Sequence, residues 1–225
     1  MSSNFEEVIC AARKIARAYH IQNKHHYDQP VQISGIRAAG WGFSNKQCDG
    51  LVSILERLTA SSIELVYAPV RDVNQRGLSS TLRTYRNPET QKMTHKIFVF
   101  KERTHCWQRY FAAKELFHLY FASEQNMTAS FDELERLIPQ IMNGSISLQN
   151  DALGVEVAAF VAAIEILFTQ EMVDTAIRRL AAGATMQDIA LTYRIPQRHV
   201  EWRLGEKVVG EFKNIYKKSS YKSIF

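Results

Sequence analysis

Apolar side chains at Phe5, Val8, Ile9, Ala12, Ile15, Ala16 and Tyr19 recur at three- and four-residue intervals, which predicts an amphipathic helix over residues 4–20. The polar run 22–32 that follows is loop. SNKQ at 44–47 has the form of a capping box, and Leu51, Ile54, Leu55 and Leu58 behind it form the stripe of a second helix. The pattern then changes to strand. SIELVYAPV (62–70) is one strand, and STLRTYRNPETQKMTHKIFVF (80–100) is two joined around Asn87 and Pro88, with IFVF the most buried part. Beyond residue 100 every periodic stretch is helical: 105–123, 130–142, 154–168, 170–182, and a pair within 186–204. Strands grouped in the first half and helices in the second predict an α+β fold, with a small antiparallel or mixed sheet packed on a helical core.

Composition narrows the class. A chain of 225 residues with 46% hydrophobic side chains can bury a sizeable core. Lys and Arg outnumber Asp and Glu by 28 to 23, a mild basic excess that permits acidic partners without requiring them. Cys10, Cys48 and Cys106 are odd in number, far apart and outside any CxxC spacing, so they are expected to be free thiols in a reducing compartment. Glu6 and Glu7 stand where a secretory leader needs positive charge. The most apolar window, 152–168, contains Glu156 and Glu165, each worth roughly 2.5 to 3.5 kcal/mol against a bilayer centre. A buried helix in a cytoplasmic protein, away from membranes, is the expectation.

The helix FAAKELFHLYF brings in chemistry. Lys114 and His118 are four apart and share a helix face with Glu115 beside them. An HExxH zinc site uses that geometry: two imidazoles hold the metal, and the glutamate polarises the bound water as general base. Glu156, inside GVEVAAFVAA, is the candidate third ligand. Lysine in place of the first histidine changes the chemistry, because an ammonium has no lone pair. Deprotonating it at pH 7 costs roughly 4.6 kcal/mol before any bond to metal forms. His105 and Cys106 just before the helix, or His95 on the preceding strand, are the possible substitute ligands.

The order of these features resembles the ImmA/IrrE family of metallopeptidase-like proteins. RYFAAKELFHLYF from Arg109, EVAAFVAAIEIL from Glu156 and IALTYRIPQRHVEWRL from Ile189 are similar to three segments of that family, across residues 5–205. The resemblance implies a metallopeptidase-like domain over 1–170, with Glu115 at the general-base position and His118 and Glu156 at the second and third zinc positions. It departs from the pattern at Lys114, at Phe117 where a glycine is usual, and in lacking the Met-Pro after the second motif. It also implies a helix-turn-helix repressor or other regulatory protein as partner, since family members cut or inactivate such repressors in phages, mobile elements and stress switches.

Residues 171–225 form the second expected unit. TMQDIALTYRIPQRHVEWRL has the rhythm of a helix-turn-helix, with Ile189, Ala190, Ile195, Val200 and Leu204 inside. Gln197, Arg198, His199 and Arg203 would then face bases or phosphates, and the lysines of the tail would add non-specific contact. Three functions follow. The first is a regulatory pseudo-peptidase that binds a repressor-type protein and needs no cofactor. The others are an active zinc peptidase with an altered ligand set, and a DNA-binding regulator using Arg198 and Arg203.

Overall fold

The computed structural model describes residues 3–22, 49–69, 80–121 and 152–222. Among them are eight helices and three strands, a mixed α+β fold: α1 (Ser3–Gln22), α2 (Asp49–Thr59), β1 (Ser62–Ala68), β2 (Ser80–Arg86), β3 (Met93–Phe100), α3 (His105–Phe121), α4 (Ala152–Leu167), α5 (Gln170–Ala181), α6 (Met186–Tyr193), α7 (Gln197–Leu204) and α8 (Glu206–Lys222). The expected capping box at 44–47, the helix at 130–142, Cys48 and the expected loop 22–32, except Gln22, which ends α1, lie outside the described residues.

Strand order is β1-β3-β2, with β3 parallel to β1 and antiparallel to β2, so the sheet is mixed. The central strand is the one with the most apolar run, as alternation on a half-covered sheet requires. Ile97 and Val99 are fully buried on the face toward α3, flanked in register by Leu65 and Leu82 around Ile97. β1 ends at Ala68 rather than at residue 70, because Pro69 has no N–H to continue the ladder.

The stripe of α1 packs as its spacing predicts: Val8, Ile9, Ala12, Ile15, Ala16 and Tyr19 are all buried. On α2 the stripe is shorter than expected. Leu51, Ile54 and Leu55 are inside, but Leu58 is 55% exposed at the last turn. Apart from Glu156 and Glu165, α4 is apolar round its circumference, and from Glu156 to Leu167 it is buried throughout, with α1 and α3 against it. Among the described residues no helix is long and apolar enough to cross a membrane.

Thr169 caps α5 by accepting from the Met172 amide, and Thr185 with Asp188 forms a capping box on α6. Arg194 at the end of α6 adopts the left-handed conformation (φ 55°), and Pro196 opens α7. α8 occupies the segment whose lysines suggest a basic tail. Phe212, Ile215 and Tyr216 are its buried side, and it packs on α1 and α7. One hydrophobic core runs from Val8 through Phe160 and Val173 to Phe212, so it is continuous across residue 170, where the sequence suggests a division.

Candidate functional site

The chemistry-bearing residues of α3 meet the start of α4. Four apart on one helix, Lys114 and His118 both turn toward Glu156 on the other. Lys114 Nζ lies 2.8 Å from Glu156 Oε2 and 3.5 Å from Glu115 Oε1, and His118 Nε2 lies 3.0 Å from Glu156 Oε1. The Ser80 hydroxyl, at the first residue of β2, donates to Glu115 Oε1 at 2.7 Å. A polar chain therefore runs Ser80, Glu115, Lys114, Glu156, His118 through the apolar interior. All five are buried, Lys114 and Glu156 to 4% and 3% exposure.

Burial alone would favour the neutral forms. It pulls the Lys114 ammonium down, but Glu115 and Glu156 outweigh it and hold the group above the usual lysine range. Burial likewise pushes Glu156 up, and His118 with Lys114 brings it below the usual carboxylate range. Tyr110, buried beside the same two glutamates, keeps its proton far above the ordinary tyrosine value, first through burial and then through their charge.

A zinc ion would need the Glu156 oxygens and His118 Nε2 turned toward one vacant centre. Here Glu156 Oε2 faces an ammonium and Oε1 faces the imidazole. Among the described residues no group of three or more His, Cys, Asp or Glu side chains is arranged to hold a metal ion. This donor set does not fit the metal. The substitute ligands considered from sequence stand elsewhere. His95 Nδ1 is 2.9 Å from Thr84 Oγ1 on the sheet. His105 and Cys106 belong to the first turn of α3 itself, about 12 to 14 Å along the axis from Lys114, and so are not on a loop able to swing in.

The residues expected to read DNA are divided by the fold. Gln197 and Arg198 are exposed on α7, with Gln197 Nε2 donating to Glu201 Oε1 at 2.7 Å. His199 and Arg203 do not face outward as expected; four apart, they share the inner face of α7 with Val200. The His199 ring sits against Trp107, Tyr110 and Phe160, and burial followed by the Arg198 charge lowers its pKa to about 3. Arg203 is 0% exposed. Its Nη2 donates to Glu165 Oε2 at 3.2 Å and to Gln170 Oε1 at 2.9 Å, and its Cζ stacks 3.8 Å from the Phe212 ring. The Tyr216 hydroxyl donates to the other Glu165 oxygen. Burial holds the Glu165 carboxyl above its usual range against the opposing pull of Arg203 and Tyr216.

Sequence reasoning missed Ser80 and the Glu165–Arg203 pair. The second had half a signal: a glutamate inside an otherwise apolar helix needs a buried cation, but Arg109 and Arg203 both fall among apolar helix positions and both are buried, so the partner was not singled out. No protein-family profile, curated protein or solved structure matches this chain.

Proposed function

We propose that this protein is a regulatory pseudo-peptidase: α3, α4 and the sheet form a metallopeptidase-like core of the ImmA/IrrE type that binds a repressor-type regulator without hydrolysing it. In this reading α6 and α7 are a helix-turn-helix-like pair kept for packing, and the protein works in the cytoplasm. One observation supports it above the others. The Lys114 ammonium lies within 2.8 Å of Glu156 and 3.5 Å of Glu115, at the place where a peptidase of this pattern holds its metal. A fixed ammonium compensates the two carboxylates as a cation would. It cannot lower the pKa of a water molecule or polarise a carbonyl as a Lewis acid does. Glu115 then has no activated water to deprotonate, and its Oε1 is committed to Ser80 and Lys114.

Without turnover, function rests on recognition. Among the described residues β2 lies at the edge of the sheet, and it starts at the buried cluster, so a partner segment added along it would pass over the former reaction centre. Backbone hydrogen bonds give such an added strand its affinity with no bond broken.

Metal content decides between this reading and an active peptidase. Protein purified without chelator, wild type beside Lys114→His, is to be assayed by elemental analysis. Substoichiometric zinc in the wild type with near-stoichiometric zinc in the variant is expected. Near-stoichiometric zinc in the wild type would overturn the proposal. For the DNA-binding alternative, the burial of Arg203 removes one of its two arginines.

A further inference from the structure

Charge is not spread evenly over this chain. Its net charge is +5, yet residues 80–103 alone hold Arg83, Arg86, Lys92, Lys96, Lys101 and Arg103 against Glu89 and Glu102. A net charge of +4 therefore sits on the β2–β3 hairpin and the turn after it. In register, Arg83 stands opposite Lys96. Like charges directly across a strand pair repel and are not a stabilising choice for the sheet itself. Lys96 has one acid to offset it, Glu64 of β1 at 2.7 Å. Among the described residues no carboxylate forms an ion pair with Arg83, Arg86 or Lys92.

Geometry adds to this. β2 pairs with β3 on one side only among the described residues, leaving its outer backbone groups without a strand partner. From Arg83 to Arg86 the strand is exposed, and Tyr85 presents 45% of its surface. Arg83 lies with its Cζ 5.7 Å from the Phe98 ring centroid, which holds the guanidinium across the outer face of the sheet. Among the described residues the edge thus offers a row of backbone donors and acceptors beside Arg83 and Arg86, neither of them paired with a carboxylate.

We propose that the β2 edge binds an acidic polypeptide segment as an added strand, with Arg83 and Arg86 pairing its carboxylates. The inference rests on the binding role proposed above and specifies the chemistry of the partner. A nucleic acid would satisfy the cations but not the backbone ladder, which only an extended peptide complements.

Fluorescence anisotropy with defined probes tests it: a fluorescein-labelled ten-residue peptide of Glu-Glu pairs separated by Val and Thr, which puts carboxylates on both faces of the added strand because Arg83 and Arg86 point to opposite faces of β2, the same peptide with Lys for Glu, an acidic version N-methylated at alternate residues, and a ten-nucleotide single-stranded DNA. The protein is the full chain, as wild type, as Arg83→Glu/Arg86→Glu, and as Arg178→Glu, an exposed arginine on α5 that serves as control. Expected is saturable binding of the acidic peptide, weakened about fivefold or more by the double reversal and by added salt, unchanged in the control, and abolished by N-methylation. Equal binding of the acidic and lysine peptides, no binding of either, tolerance of N-methylation, or tighter binding of the DNA would each overturn the proposal. So would a concentration-dependent dimer that the double reversal dissolves, since the edge would then be occupied by a second copy. Failure here while Lys114→His alone takes up zinc would leave the pseudo-peptidase reading standing.

Discussion

Lys114 is one cation between two carboxylates, so removing its charge leaves Glu115 and Glu156 buried side by side with nothing between them. Breaking such a pair from one side costs about 3 to 5 kcal/mol, far more than the surface value, because the uncompensated charge cannot return to water. Lys114→Met, which keeps the side chain's length and apolar stem, is therefore expected to lower the urea-denaturation free energy by about 3 kcal/mol. Adding Glu156→Gln should recover part of that loss, since the second change removes one of the two stranded charges. A drop below about 1 kcal/mol in the single variant would show a surface-type pair and count against the ammonium as structural cation. Most of this cluster was readable in the sequence. The spacing of Lys114 and His118 fixes a shared helix face, and a glutamate inside an apolar helix marks Glu156 as a buried partner. Ser80 was not readable, because its bond to Glu115 spans 35 residues and depends on how β2 lies against α3.

At the scale of elements, α4, α7 and α8 are joined by one buried polar contact group rather than by apolar packing alone. Arg203 links Glu165 and Gln170 while lying over Phe212, and Tyr216 of α8 closes on Glu165. Arginine suits this place because a planar guanidinium can donate along its edge and stack on its face at once. Arg203→Lys should accordingly behave as a damaging change: it keeps the charge and loses both the fork and the ring contact. An expected fall of about 2 kcal/mol or more in stability, with faster amide exchange in α8 than in α1, can be read by denaturation and hydrogen–deuterium exchange. Exchange unchanged in α8 would mean that Phe212 and Ile215 dock the helix unaided. Periodicity located the strands and most helices to within two residues, since each has a one-sided apolar pattern that tertiary packing preserves. α8 escaped because its lysines dominate the composition, while Phe212, Ile215 and Tyr216 repeat at helical spacing beneath them. Leu58 erred the other way, an apolar position with no neighbour to cover it among the described residues.

For the whole molecule, the α+β class followed from the order of patterns, but the way the two ends share a core did not. α1 packs on both α4 and α8, contacts between the first and last parts of the chain that no local signal encodes. The two buried clusters then lie in one cooperative core, and their opposite pKa shifts give stability a definite pH dependence. Glu156 is held below its ordinary value of 4.5, so its contribution is complete above that pH and is lost as pH falls toward the lowered value. Lys114 is held above its ordinary 10.5, so its contribution is complete below that pH and is lost only at higher pH. Glu165 is raised, and by the same reasoning its ionisation opposes folding as pH climbs above its ordinary 4.5. Between these limits the Lys114 cluster holds its full value. The two glutamate windows lie on opposite sides of pH 4.5: Glu165 adds stability as pH falls from its raised value to 4.5, and Glu156 withdraws it as pH falls further. Thermal melts should therefore show a shallower fall in Tm below pH 4.5 for Glu156→Gln than for the wild type, and loss in Glu165→Gln of the rise in Tm that the wild type shows as pH falls toward 4.5, each slope bounded by about 1.4 kcal/mol per pH unit. Parallel curves in all three proteins would mean that neither carboxylate changes its pKa on folding.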